Sequence, residues 1–129
     1  MELRDYFENT KGTGVFATAD ATGDVDAAIY ARPHAMEDGS LGFIMAERRS
    51  YANIQSNPRA VYLFQEEGPG YRGKRLHLTK VGEETDTERL QKLRRRKYSP
   101  DEESGIGPLH LVFFRVEEER PLVGEFARD

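Results

Sequence analysis

Two arginines and a serine stand together in Glu47-Arg48-Arg49-Ser50, where a strand gives way to a helix. Upstream, Leu41-Gly-Phe-Ile-Met-Ala46 is apolar enough to form a buried strand. Downstream, Tyr51-Ala-Asn-Ile-Gln-Ser-Asn57 reads as a short helix, with Ser50 as its predicted N-cap and Pro58 closing it. The first backbone N–H groups of a helix have no partner within it, and the helix dipole adds positive potential there. Two guanidinium groups and a hydroxyl at that spot have the chemistry of a phosphate site. An exposed basic turn with an ordinary cap uses the same four residues, and the motif alone does not choose between the two.

Other chemical motifs fail on context. Gly68-Pro-Gly-Tyr-Arg-Gly73 has the G-x-G-x-x-G spacing of a dinucleotide loop, and through Lys74 it fits most of a P-loop. Both need a helix next, because the helix N-terminus holds the phosphates. Here Leu76-His-Leu-Thr-Lys-Val81 reads as strand, and Arg75 stands where a P-loop needs a hydroxyl, so the segment is read as a hairpin loop. His34, His77 and His110 show neither H-x-x-x-H nor H-E-x-x-H spacing, so no metal site is expected. His77 and His110 fall within predicted strands and are assigned hydrogen-bonded structural roles. His34, following Arg32-Pro33, is the histidine to test beside a ligand. No G-x-S-x-G elbow surrounds Ser50 and no carboxylate pair has a distinctive spacing, so no catalytic residue is assigned.

The bulk numbers narrow the classes further. With 129 residues the chain makes one domain, large enough to bury a core. It has no cysteine, which excludes disulfides, thiolate metal sites and cysteine nucleophiles. A net charge of -4 provides no field to hold nucleic acid. The basic run Arg94-Arg-Arg-Lys97 reads as a solvated helix end, and Glu117-Glu-Glu119 as solvated surface. The start, Met1-Glu-Leu-Arg-Asp-Tyr-Phe7, lacks the apolar run of a signal peptide. No segment approaches the ~20 apolar residues of a membrane span. A cytoplasmic protein without a membrane partner is the expectation.

The elements that must position the basic turn follow from periodicity. Residues 2–10 form a predicted helix with Leu3, Tyr6 and Phe7 on one face. Strands are predicted over Gly14–Ala19, Val25–Met36, Leu41–Ala46, Ala60–Gln65, Lys74–Val81 and Leu109–Val116. Along the second, Val25, Ala27, Ile29 and Ala31 share one face, and Asp26, Ala28, Tyr30 and Arg32 the other. Glu37-Asp-Gly-Ser40 is a hairpin turn. Thr85-Asp-Thr-Glu88 is a capping box opening a helix to about Tyr98, followed by a linker from Ser99 to Pro108. Six strands in antiparallel hairpins with brief helices make a mainly β protein, a six-stranded antiparallel split β-barrel.

In order and spacing the chain resembles the flavin-binding split-barrel family related to pyridoxamine 5'-phosphate oxidase. The resemblance is carried by Gly12-Thr-Gly-Val-Phe-Ala-Thr-Ala-Asp20, Ala28-Ile-Tyr-Ala-Arg-Pro33, Asp38-Gly39, Arg49-Ser50, Ala52-Asn-Ile54, Asn57-Pro58 and Phe114 to Gly124. It implies a homodimer with FMN in clefts along the interface, working with a small-molecule substrate or a redox partner. By that resemblance Arg49 and Ser50, with Arg48 as substitute, hold the phosphate. The isoalloxazine ring lies along Ala28, Ile29, Tyr30 and Met45, Ala46, Glu47, and Arg32 reaches the ribityl-phosphate tail or a substrate anion. The chain is shorter than the oxidase and shows no arginine-rich substrate-recognition signature near its end, so the resemblance does not extend to vitamin B6 oxidation. An FMN-dependent oxidoreductase, a non-catalytic electron carrier or sensor, and a split barrel binding deazaflavin or heme all stay open.

Overall fold

Burial alternates along Gly12–Ala19 (β1), where Gly14, Phe16 and Thr18 point inward, and along Arg59–Glu66 (β5), where Ala60, Tyr62 and Phe64 do. Such alternation belongs to strands with one face on a core, and these two pair antiparallel with Phe16 opposite Tyr62. The computed structural model describes residues 2–97 and 107–124. Its other strands are Val25–Ile29 (β2), His34–Ala35 (β3), Leu41–Ala46 (β4), Gly73–Thr85 (β6) and Leu109–Pro121 (β7). The helices are Leu3–Asn9 (α1), Arg49–Ser56 (α2) and Glu88–Lys97 (α3).

Among the described residues the seven strands form one antiparallel sheet in the order β2-β1-β5-β6-β7-β4-β3. Its two edge strands are joined only by residues 30–33. Such a link reaches at most about 18 Å, whereas seven flat strands put their edges about 29 Å apart. The sheet must therefore curl until its edges approach, and the mainly β split barrel is observed, with its ladder left open between β2 and β3. The single strand expected over Val25–Met36 is two strands, which makes seven rather than six. The break has a cause: the carbonyls of Tyr30 and Ala31 both turn to the Tyr62 hydroxyl, 3.1 Å from each, and Pro33 has no N–H to donate.

Inside the barrel lie Phe16, Phe43, Tyr62, Phe64, Leu76 and Phe114, all essentially buried. Tyr6 and Phe7 of α1 pack edge-on against Phe64, with ring centroids 5.9 and 5.3 Å away. β4 is buried on both faces, since Leu41, Phe43 and Met45 join the barrel core while Ile44 joins Leu90, Leu109 and Leu111 beneath α3. The predicted turn at Glu37–Ser40 forms with Gly39 at φ 92°, and Asp38 accepts hydrogen bonds from Ser40 N and Oγ.

Several boundaries move. β6 runs on to Thr85, and the cap of α3 is Thr87, whose Oγ1 accepts from Leu90 N at 3.2 Å. Thr85 is unavailable as a cap because its hydroxyl meets His110. β7 continues past Val116 to Pro121, carrying the exposed run Glu117–Glu119 as strand. The segment at 68–73 is a loop followed by β6, with no helix after it. The predicted linker and the end of α3 at Tyr98 fall mostly outside the described residues. No helix among the described residues is long and apolar enough to cross a membrane.

Candidate anion and cofactor site

α2 is held against the barrel by buried Ile54 and by Asn53, whose Nδ2 donates to Thr18 Oγ1 of β1 at 2.9 Å. Its C-terminus stops at Asn57, extended ahead of Pro58 as the sequence requires. Its start lies two residues earlier than expected. Arg48, with extended backbone, occupies the N-cap position and makes no side-chain capping bond. Ser50 is thus a correction: it lies inside the first turn and is not the cap. The helix start is left without a side-chain acceptor, so its first N–H groups remain available to an anion.

Ser50 is buried, and it lines one groove together with Tyr30. The Tyr30 ring packs on Phe16 and Phe43, at 5.2 and 6.5 Å, so its body belongs to the barrel core and its tip to the site. Burial pushes its phenol up to about 12; the Ser50 hydroxyl and the Arg48 charge pull it down, and Asp26 adds to the rise. At neutral pH Tyr30 therefore keeps its proton and can donate it in a hydrogen bond.

A groove of about 440 Å³ gathers Ala28, Ile29, Tyr30, Ala46, Arg48, Arg49 and Ser50, all named from the sequence. Its volume is within the range of ligand sites. Asp26, Ala27, Ala31 and Ile44 also line it and were not foreseen. Asp26 was legible, because it shares a strand face with Ala28 and Tyr30; nothing local marks Ile44. None of the salt bridges among the described residues uses Arg48 or Arg49.

Three predicted residues turn elsewhere. Met45 is fully buried, because strand alternation sends its side chain into the barrel core. Glu47 directs its carboxylate to His110 Nε2, 2.8 Å away. Arg32 donates to the carbonyls of Phe7 and Thr10, both at 2.8 Å, so its charge satisfies the C-terminal end of α1 and not the groove. Lys74 pairs with Glu119, and Arg75 donates to the carbonyls of Pro121 and Gly124. His34 faces a separate cavity of about 250 Å³ with Arg4, Glu8 and Leu93.

A larger concavity, about 660 Å³, lies on the outer face of β2, β1, β5 and β6. Ala17, Ala19, Ala27 and Val61 line it with Val25, which is 78% exposed, and Asp26, Arg59, His77 and Glu117 add charged and polar groups. It shares Asp26 and Ala27 with the arginine groove, so the two adjoin at β2. Arg48, Arg49 and Ser50 line only the smaller of the two.

No protein-family profile matches the sequence, and no curated protein does. Solved structures match in shape. An FMN-binding protein from Syntrophomonas wolfei has a TM-score of 0.71 at 15% identity, over 97% of this chain and 86% of that one. This chain and that protein share one fold. An F420 reductase matches with a TM-score of 0.67 at 16% identity, over 89% of this chain and 94% of the other. A candidate pyridoxamine 5'-phosphate oxidase from Listeria innocua matches at 0.62 and 17%, over 94% and 98%. Likeness at these identities concerns the split barrel itself, in agreement with the resemblance read from the sequence.

Proposed function

We propose that this split barrel is an FMN-binding flavoprotein, with the phosphate at Arg48, Arg49 and Ser50, acting as an FMN-dependent oxidoreductase on a small substrate. The observation that carries the reading is the groove itself. Two arginines without ion-pair partners among the described residues meet an uncapped helix start at one end of a half-apolar trough. A phosphate with close to two negative charges matches that end. β2 is an edge strand, paired only with β1, and backbone groups on its other side suit the amide-like edge of a flavin ring. Bound FMN would supply the electron transfer. The chain's own residues bind and orient: Tyr30 offers a hydroxyl proton beside Ser50, and Ile29, Ala28 and Ala46 exclude water.

The protein works as a homodimer on this reading. The apolar trough beside the groove, bordered by Arg59, His77, Asp26 and Glu117, suits a second copy, and covering it would also wall the flavin groove. A flavin carrier or sensor without a substrate of its own is the second reading, favoured by the firmly held Tyr30 proton. Similarity to an F420 reductase makes a deazaflavin the alternative cofactor.

An absorption spectrum of the purified protein and a titration with FMN test the proposal. Joint Arg48→Ala and Arg49→Ala should weaken binding by about a hundredfold or more, two charge-assisted hydrogen bonds being lost. A colourless protein indifferent to FMN, or a double variant binding as wild type does, overturns it. Tighter binding of deazaflavin than of FMN would move the cofactor assignment.

A further inference from the structure

We infer that His110 is a positioning residue for the anion cradle, clamping both ends of the turn Glu47–Tyr51 that carries Arg48, Arg49 and Ser50. The inference rests on the phosphate reading of that turn. His110 belongs to β7, the strand next to β4, and is buried. Its Nε2 is 2.8 Å from Oε2 of Glu47, the residue just before the arginines. Its ring stacks on Tyr51, the residue just after Ser50, with centroids 4.1 Å apart and planes 10° off parallel. From β6, Thr85 Oγ1 lies 2.8 Å from Nδ1 and fixes the rotation of the imidazole. If Thr85 donates to Nδ1, the Nε2–H is left for the Glu47 carboxylate.

Glu83 completes the clamp from β6. Its Oε2 accepts the Tyr51 hydroxyl at 2.6 Å and lies 3.7 Å from His110 Nδ1. Lys80 pairs with Glu83 at 2.7 Å and Gln55 donates to it at 3.1 Å. Tyr51 is thus held at its ring face and at its hydroxyl.

Two effects on the cradle follow. A carboxylate directly before two arginines would, if free, compete with an anion for them; engaged by His110, Glu47 leaves both guanidinium groups to a ligand. A five-residue turn pinned at its first and last side chains also keeps its N–H groups and arginines in one arrangement, which lowers the ordering cost of binding. His110 acts through Glu47 and Tyr51 and does not itself line the groove.

The test is titration of the full-length protein with FMN and with inorganic phosphate, followed by flavin fluorescence and phosphorus NMR. Glu47 has a half-exposed side chain, so Glu47→Ala should fold. It should weaken FMN binding about tenfold and shift the bound phosphorus resonance. Were Glu47 only a nearby negative charge, removing it would tighten binding, so tighter or unchanged affinity overturns the inference. At His110, glutamine places an amide N–H near the Nε2 position and keeps the Glu47 contact, whereas asparagine keeps only the Thr85 side. Both variants lose the ring stack on Tyr51 and differ in the Glu47 contact, so His110→Gln should bind several-fold more tightly than His110→Asn, at similar melting temperatures. Equal affinities in those two variants also overturn it. A wild type that binds neither FMN nor phosphate defeats the underlying phosphate reading, and does so before any variant is made, so the two failures stay apart.

Discussion

Tyr62→Phe should destabilise the protein by about 2–3 kcal/mol while leaving its core volume intact. The Tyr62 ring is fully buried among Phe7, Phe16, Phe43 and Phe64, and phenylalanine keeps every one of those contacts. What is lost is the hydroxyl that lies 3.1 Å from the carbonyls of both Tyr30 and Ala31, where the barrel's edge segment breaks between β2 and β3. Taking away one partner of a buried hydrogen bond costs about 1–3 kcal/mol, and two carbonyls lose their donor together here, so the loss falls near 2–3 kcal/mol. For a domain of this size that corresponds to roughly 8–12 °C in melting temperature. Urea denaturation and calorimetry would measure it, with the urea slope unchanged. A loss below about 0.5 kcal/mol would falsify the idea that this hydroxyl holds the break, because those carbonyls would then have other donors.

Gly14 is the matching position on β1. A Cβ there would fall 1.9 Å from Tyr62 Oη and 2.7 Å from the Tyr30 carbonyl oxygen, so Gly14→Ala should cost more than about 3 kcal/mol, with partial recovery in a Tyr62→Phe background. Glu83 predicts an acid weakness. Burial pushes its carboxyl up, but hydrogen bonds from Lys80, Tyr51 and Gln55 outweigh that and hold it at about 2, against an ordinary 4.5. A lowered carboxylate stabilises above its unfolded value and loses that stability as pH falls from about 4.5 toward 2. The amount is at most about 3 kcal/mol, less what solvent screening removes, and thermal melts of Glu83→Gln should show a shallower acid slope. Val25→Asp, at an exposed residue of the outer trough, should shift the protein from dimer to monomer in sedimentation velocity. A monomeric wild type, or a dimer unaffected by the aspartate, removes that face as the interface.

The basic turn was legible because everything that makes it is local. An apolar strand, two arginines and a helix start follow one another within ten residues, and short-range sterics and periodicity decide such a junction. The same locality gave β1 and β5 as strands and the glycine turn at Gly39. Even the groove's second wall, Ala28-Ile29-Tyr30, was reached through the family resemblance and returned beside Arg48 and Ser50. Side-chain partners far apart in the chain were another matter. Arg32 reads as one more cation for a ligand until the fold brings the end of α1 over it, where two carbonyls take both of its hydrogen bonds. Glu47 reads as a ring-lining residue until β7 is laid beside β4, which sets His110 against it across 63 positions of sequence. The break at Tyr30–Pro33 likewise needed Tyr62, supplied by β5, two strands along the sheet from β2. Sequence alone determined the elements and the chemistry of one turn, because backbone conformation answers to near neighbours. Which charged side chains around that turn find partners within the chain was decided by the order of strands around the barrel, since a charged side chain pairs with whatever the topology places within reach.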